Sequence, residues 1–360
     1  TSSNIDDGSA HFQCKLYSGN NTNNTAITFD GPSNLQPDLV WGKSRTNAHY
    51  HDLRDTSRGL NNRIFTNYAD SNPEDTKSAS YVSFDSNGFT LGDDGGGSPA
   101  NTVNTSSNNY VAWAWKANGG STTSFNESGN NPGGGYQANT TAGMSIVTYT
   151  GTGSAGTVTH GLSTAPRWVL NKGRDDNHSW IYGHVSVTSN FSYVGVFNSD
   201  AAFVDDANSY NDTGPTSSVF TVNNAGGTNQ DGEGYVAYCF HDIQGYSKFG
   251  NYTGSGDADG PFVYTGFKPQ MVILKDTDNT RNHAMADIDL VTGGNGGVTN
   301  ALFPNLDNSK DANVRIDFLS NGFKIRTTST TWNNNGSNYI YMVWAKRPFT
   351  TSSGVPTTAS

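Results

Sequence analysis

Cysteine is almost absent from this chain. Cys14 and Cys239 are the two in 360 residues, far apart and in non-equivalent surroundings. That excludes a disulfide framework and predicts two free buried thiols. Charge is scarce as well, at 14% of residues. Glu is so sparse that Glu74, Glu127 and Glu233 stand alone in loop-like contexts. No pair of carboxylates is marked out for acid–base work. Basic residues are outnumbered 21 to 31, for a net charge of −10. An acidic surface repels phosphate, which argues against nucleic acid. No apolar run approaches the roughly 20 residues of a membrane-spanning helix, which argues against membrane insertion. Nucleophile elbow, phosphate loop and zinc-protease signatures are missing, so the sequence reads as a non-enzyme. The first residue is Thr and no signal-like segment follows, which suggests a processed or trimmed start.

Ser, Thr, Asn and 42 Gly fill the space left by charge, and aromatics reach 12%. This mixture is too aromatic for disorder and too poor in Leu, Lys and Glu for helices. It predicts an all-β chain of short strands and many turns.

One pattern recurs three times. "PDLVWGKSR" (37–45), "PRWVLNKGR" (166–174) and "PQMVILKDT" (269–277) each carry Pro, an apolar run, and Lys six positions after the Pro. A Tyr-x-Gly precedes each, at Tyr17, Tyr149 and Tyr252. A Phe-x-aliphatic follows each, at Phe89, Phe220 and Phe323. Each set closes on an aromatic strand, "YVAWAW" from Tyr110, "YVAYCF" from Tyr235 and "YIYMVW" from Tyr339. Apolar residues on both faces of "YVAWAW" predict a central strand. The expected architecture is three tandem antiparallel β-sandwich repeats of about 100 residues each. They span 11–117, 144–244 and 245–349, between an N-terminal arm (1–10) and a flexible C-terminal tail (350–360). Residues 118–143, rich in Gly, Asn and Ser, read as a linker or long surface loop. Asn-Gly at 87–88 and 321–322 predicts type I′ hairpins. Pro37, Pro166 and Pro269 are placed just before a strand begins.

The repetition bears on chemistry. Pro37, Lys43, Pro166, Lys172, Pro269 and Lys275 are common to all three sets and read as structural signature. Each Lys is expected to end a buried strand, its ammonium reaching water or a carboxylate such as Asp52 or Asp287. Asp52, His184 and Asp287 are aligned as the ends of the following strand. Recognition is expected from what differs, with Trp180, Tyr182, Trp332, His49 and His51 as surface candidates. Tyr136 and Tyr210 are further rings suited to stacking on sugars. His49 and His51 share one strand face without an evident third ligand, so no metal site is assigned. The Asp-rich loops at 173–177, 256–260 and 276–279 offer ligands for Ca²⁺, although none has an EF-hand ladder, and Asp is also a common turn residue. No other cofactor is expected.

Longer stretches carry a resemblance. "HFQCKLYSGNNTNNTAITFDG", "HDLRDTSRG", "VSFDSNGFTLG" and "NNYVAWAWKANGG" resemble the repeat domain of virion structural proteins of marine tailed bacteriophages. "SIVTYTGTGSAGTVTHGLSTAPRWVLNKGRDDNHSWIYGH" and "GYSKFGNYTGSGDADGPFVYTGFKPQMVILKDTD" are similar to further copies. The likeness covers about residues 11–349. It implies a non-enzymatic tail fibre or surface appendage on the virion exterior that contacts the host. Implied partners are other virion proteins, a homo-oligomer, and a host-surface glycan or protein. Alternatives are a capsid decoration or head-fibre protein, a secreted glycan-binding adhesin, and a polysaccharide depolymerase. The resemblance supplies no catalytic or binding residues.

Overall fold

The computed structural model describes residues 3–68, 73–77, 80–93, 103–290, 297–348 and 353, without the side chains of 297–299, 314 and 347. Apart from Ser353, the tail at 350–360 lies outside the described residues. The chain is all-β, in six antiparallel sheets: three hold the closing aromatic strands and are called large, with six, eight and four strands, and three are called small, with three, two and four.

The first large sheet has the order β1 (Phe12–Ser18), β9 (Asn109–Trp115), β3 (Leu39–Ser44), β4 (Asp52–Asp55), β5 (Asn62–Phe65), β6 (Asp75–Thr76). Its small sheet is β2 (Thr25–Thr28), β8 (Gly88–Leu91), β7 (Tyr81–Asp85). The second large sheet runs β10 (Thr123–Phe125), β11 (Gly134–Asn139), β12 (Met144–Thr150), β19 (Gly234–Phe240), β14 (Trp168–Gly173), β15 (Ile181–His184), β16 (Tyr193–Val196), β17 (Val204–Asp205). Its small sheet is β13 (Gly156–Thr159) with β18 (Val219–Val222). The third large sheet is β20 (Ser247–Thr253), β27 (Asn338–Pro348), β22 (Phe267–Asp276), β23 (Ala284–Asp287). Its small sheet is β21 (Phe262–Tyr264), β26 (Gly322–Ile325), β25 (Asp311–Leu319), β24 (Gly297–Ala301).

The recurrent residues meet in space. Tyr17 pairs with Tyr110, Tyr149 with Tyr235 and Tyr252 with Tyr339 across neighbouring strands. Their rings stack at 5.2, 5.1 and 4.9 Å. Phe89, Phe220 and Phe323 meet the first Tyr of each pair edge-on, at 6.0, 6.1 and 6.3 Å. Such contacts add to simple area burial, and they explain why these three ring positions recur in fixed order.

The closing strands are central and buried on both faces, because each separates two cores. Tyr110, Ala112 and Ala114 face a core under the first small sheet. Tyr235, Ala237 and Cys239 do the same in the second, and Tyr339, Tyr341 and Val343 in the third. The alternate residues, Val111, Trp113 and Trp115 with Val236, Tyr238 and Phe240 and with Ile340, Met342 and Trp344, point into one further core. That core is common to all three large sheets. Period-two alternation puts a strand's odd and even residues on opposite faces, so one strand serves both cores.

Three expectations need correction. Residues 118–143 are not a free linker, because β10 and β11 extend the second large sheet and Asp38 Oδ2 accepts from Ala117 N and Gly119 N at 2.7 and 2.9 Å. The Asn-Gly hairpins exist, but their turns lie one residue earlier. Asp85 pairs with Gly88 and Leu319 with Gly322, leaving Ser86-Asn87 and Ser320-Asn321 at the centres. None of these four residues has positive φ, so the turns are not type I′. Gly is required for another reason: a Cβ on Gly88 or Gly322 would sit 2.0 Å from the carbonyl of Ile27 or Val263 on the adjoining strand. Finally, Pro37 and Pro166 precede their strands, but Pro269 lies inside β22, at a register shift that accommodates its missing N–H.

Candidate functional site

Two of the signature lysines, Lys43 and Lys275, reach from one large sheet toward another, and Lys172 stays within its own segment. Their side chains are buried, at 1, 4 and 0% exposure for Lys43, Lys172 and Lys275. None ends in solvent or on Asp52 or Asp287, which corrects the expectation from sequence. Lys43 Nζ donates to Ser44 O at 2.8 Å and to Asp307 O, beside the third large sheet, at 3.1 Å. Lys275 Nζ donates to four carbonyls, those of Asp200, Asp276, Asn279 and Arg281, at 2.7–3.3 Å. Lys172 Nζ donates to His178 O at 2.6 Å. Burial disfavours the ammonium, lowering the pKa to about 7 for Lys43 and about 8 for Lys172 and Lys275. A depressed amine can be a nucleophile, but these are sealed and occupied with main-chain carbonyls. Lys275→Met is expected to cost about 2–4 kcal/mol, because one buried and three partly buried carbonyls lose their donor at once. Urea unfolding and amide exchange over 276–283 will check it; an unchanged midpoint with unchanged exchange would contradict the assignment.

The strand after each Lys also reaches a neighbouring sheet. Pairing opposes Leu39 with Asp55, Trp168 with His184 and Met271 with Asp287. The matching residues are therefore Asp55, His184 and Asp287, and Asp52 is displaced from its expected alignment. Each lies twelve residues after its Lys, an interval that would have identified Asp55. Asp55 Oδ2 accepts from Tyr238 of the second sheet at 2.6 Å. Asp287 Oδ2 accepts from Trp113 of the first sheet at 2.8 Å. His184 instead turns to the main chain of Tyr341 in the third sheet, next to Met342. Tyr238, Trp113 and Met342 hold one position in the three closing strands, and Met342 lacks a donor or strong acceptor for the imidazole.

The surface candidates are interior residues. Trp180 and Tyr182 are fully buried in the shared core; Trp180 Nε1 donates to Phe65 O at 2.8 Å, and the Tyr182 hydroxyl meets His283 Nε2 at 2.9 Å. Trp332 is buried in the third sheet's own core. His51 Nδ1 accepts from Trp41 Nε1 at 2.9 Å, and His49 is 3% exposed. Tyr210 is also buried, and Tyr136 is half-buried over Gly161. Aromatic and imidazole rings supply large area with one polar tip, so a core this rich in rings absorbs them.

Titration of these histidines predicts acid sensitivity. Burial pulls His184 down to about 3 and His160 to about 4, and holds His51 and His283 well below the usual value. Their folded values lie below the roughly 6.5 of an unfolded chain. Stability present above pH 6.5 is therefore lost as pH falls toward those folded values. Asp38, Asp242 and Asp287, raised by burial, act in the opposite sense. Six histidines are lowered, with His11 and His241 included, against three aspartates raised, so the thermal midpoint is expected to fall between about pH 6.5 and 4. A flat profile across that window would contradict it.

Two groups bring three potential metal ligands within 4.8 Å among the described residues: Cys14, Asp287 and Asp289, and Asp176, His178 and Glu233. Their atoms are engaged internally. Glu233 Oε1 accepts from Asp175 N and Asp176 N, and Gln230 bridges His178 and Asp176. In the other Asp-rich loops, Asp276 Oδ1 accepts from Asp278 N and Asn279 N, and Asp257 Oδ1 from Asp259 N. These are turn-forming carboxylates. Cys14 and Cys239 are free and buried; burial raises Cys14 and pushes Cys239 up to about 12.

Among the clefts at the surface of the described residues, two are roomy. One, of about 610 Å³, is lined by Ser186, Thr188, Tyr193, Asn251 and Asn338 among others. The second, of about 480 Å³, is lined by Ser3, Asn4, Gln244, Lys248, Tyr264 and Thr265 among others. Both are in the size range of small-ligand sites. No described helix is long and apolar enough to cross a membrane.

Residues 7–348 match the family described as a domain of unknown function, DUF7483, and the chain belongs to that family. No curated protein and no solved structure matches the chain.

Proposed function

We propose that this DUF7483 chain is a non-enzymatic structural and recognition module, a tail fibre or related appendage component on the exterior of a bacteriophage particle, contacting the host. We propose further that it is three copies of one β-sandwich domain folded about a common core. The observation that carries both is the fate of the recurrent residues. The stacked tyrosines, the edge-on phenylalanines and the signature lysines are consumed by the fold, inside the sandwiches and at their seams. Many residues that differ between the sets are buried as well, and the surface keeps exposed rings such as Phe262 and Tyr264 and amide-lined clefts that suit binding. The likeness of "HFQCKLYSGN" and its companion stretches to phage virion repeat domains supplies the setting. A shared core without disulfides also suits a particle exposed to dilute, oxidising or reducing surroundings alike. Antibody labelling of intact virions tests the reading. Label on a tail appendage is expected, and label confined to the capsid interior or to infected cytosol would overturn it.

A further inference from the structure

Large exposed apolar side chains are few among the described residues, and three of them share one place. Phe262 and Tyr264 are 47 and 51% exposed, and Leu319 is 36% exposed. Phe262 and Tyr264 alternate with buried Val263 on β21, so both rings stand on the outer face of the third small sheet. Tyr264 and Leu319 both pair with Gly322, which leaves a floor without a side chain between them. The Phe262 ring leans over that glycine, 3.2 Å from where its Cβ would be.

The fold does not require rings here. In the first small sheet the matching residues, flanking Ile27 opposite Phe89, are Ala26 and Thr28. In the second, flanking Val158 opposite Phe220, they are Thr157 and Thr159. The same pairing is built twice with small side chains, so Phe262 and Tyr264 are surplus to the architecture.

Their surroundings fit a polar ligand rather than a protein core. Lys248 Nζ lies 5.5 Å from the Tyr264 ring centroid and donates to Tyr264 O at 2.9 Å. It forms no ion pair among the described residues. Lys324, on β26, and Arg326, one residue beyond its end, share Asp259, and Arg326 also pairs with Asp317. Those two cations are offset by their carboxylates, so Lys248 is the cation left for a ligand among the described residues of this face. The cleft of about 480 Å³ beside Tyr264 adds hydroxyl and amide groups from Ser3, Asn4, Gln244 and Thr265, with Asp242 as the one carboxylate in its lining.

We propose that this face binds an acidic polysaccharide, an extended chain of uronic or sulfated sugars. Two rings one residue apart on a strand are spaced about 7 Å, close enough for neighbouring pyranoses of one chain to lie against both. The C–H faces of sugars suit aromatic planes. Lys248 supplies a cation for a carboxylate or sulfate, and the adjoining cleft receives hydroxyls. An isolated pair of rings and one Leu is too small an apolar area for a stable protein interface, which needs roughly 800 Å² from each partner. The inference rests on the host-contact reading for its setting alone.

Affinity electrophoresis of the full chain in alginate, a polyuronate, and in dextran, a neutral glucan, tests it. Retardation by alginate and not by dextran is expected. The double variant Phe262→Ala/Tyr264→Thr installs residues of the kind the sister sheets carry, so its melting temperature should match the wild type while alginate affinity drops about tenfold or more. Lys248→Gln should weaken alginate binding and its salt dependence together. Absence of alginate retardation, equal retardation by dextran, or a double variant that binds like the wild type would each overturn the proposal. Virion labelling reads the appendage proposal separately: exterior label without alginate binding sinks the polysaccharide site alone.

Discussion

Trp113→Ala is expected to lower stability by about 4 kcal/mol or more, a large share of the 5–15 kcal/mol that holds a typical domain together. Two losses combine. Trp113 is fully buried in the shared core, flanked on its sheet by Cys14 and Trp41, with the Trp41 ring edge-on at 5.7 Å. Truncation opens a cavity that its rigid β neighbours cannot close. It also removes the donor to Asp287 Oδ2, leaving a buried carboxylate with Gln270 Nε2 and Asp289 N as its remaining partners. Trp113→Phe keeps much of the volume and loses the donor, so it should fall between wild type and alanine. Urea unfolding read by far-UV circular dichroism separates the three. Because the core joins all three large sheets, the wild type should unfold in one transition. An alanine variant within about 1 kcal/mol of wild type, or early separate melting of the third sheet, would contradict a shared core.

The sequence made some of this legible and concealed the rest for identifiable reasons. Alternation in "YVAWAW" announced a strand apolar on both faces, and the structure places its two faces in two cores. The Tyr and Phe anchors were legible because ring contacts within a sheet tie residue type to fixed pairing. The destination of each Lys was not. Lys43 meets the Asp307 carbonyl across 264 positions of chain, and a main-chain acceptor leaves no trace in residue type. Glycine misled in a consistent way. In 118–143 it suggested a linker, yet a Cβ on Gly134 would meet Thr148 O at 2.0 Å, so Gly is what lets β11 approach β12. At 88 and 322 it suggested turn residues and again serves close strand approach. The aromatic candidates failed because ring size says nothing of which side of a sheet a ring occupies. Phe262 and Tyr264 are distinguished only by comparing "PFVYTG" with "NTAITF" and "AGTVTH", where the flanking positions are small.

Asp55→Ala should rival the loss of Trp113, for an electrostatic reason. Asp55 and Arg58 have fully buried side chains, joined from Arg58 Nε to Asp55 Oδ2 at 2.6 Å. Arg58 N and the Tyr238 hydroxyl complete the carboxylate's set at 2.8 and 2.6 Å. Burial opposes the charge on Arg58, but Asp55, Tyr238 and Glu74 together hold its pKa above the ordinary value. Glu74 takes Arg58 Nη1 at 2.9 Å and Arg174 Nη2, of the second sheet, at 2.7 Å. Alanine at 55 strands a buried guanidinium and a buried phenol at one seam, and breaking such a pair costs about 3–5 kcal/mol. Arg174→Ala removes a charge at the half-exposed rim of the same network and should cost under about 1 kcal/mol. Asp55→Asn keeps an acceptor for Tyr238 and loses the negative charge, so most of its penalty reports on Arg58. A cycle of Asp55→Ala with Tyr238→Phe isolates the contact between sheets. If Asp55→Ala melts with Arg174→Ala, Glu74 alone suffices to hold Arg58, and the seam between the first two sheets is apolar in its energetics.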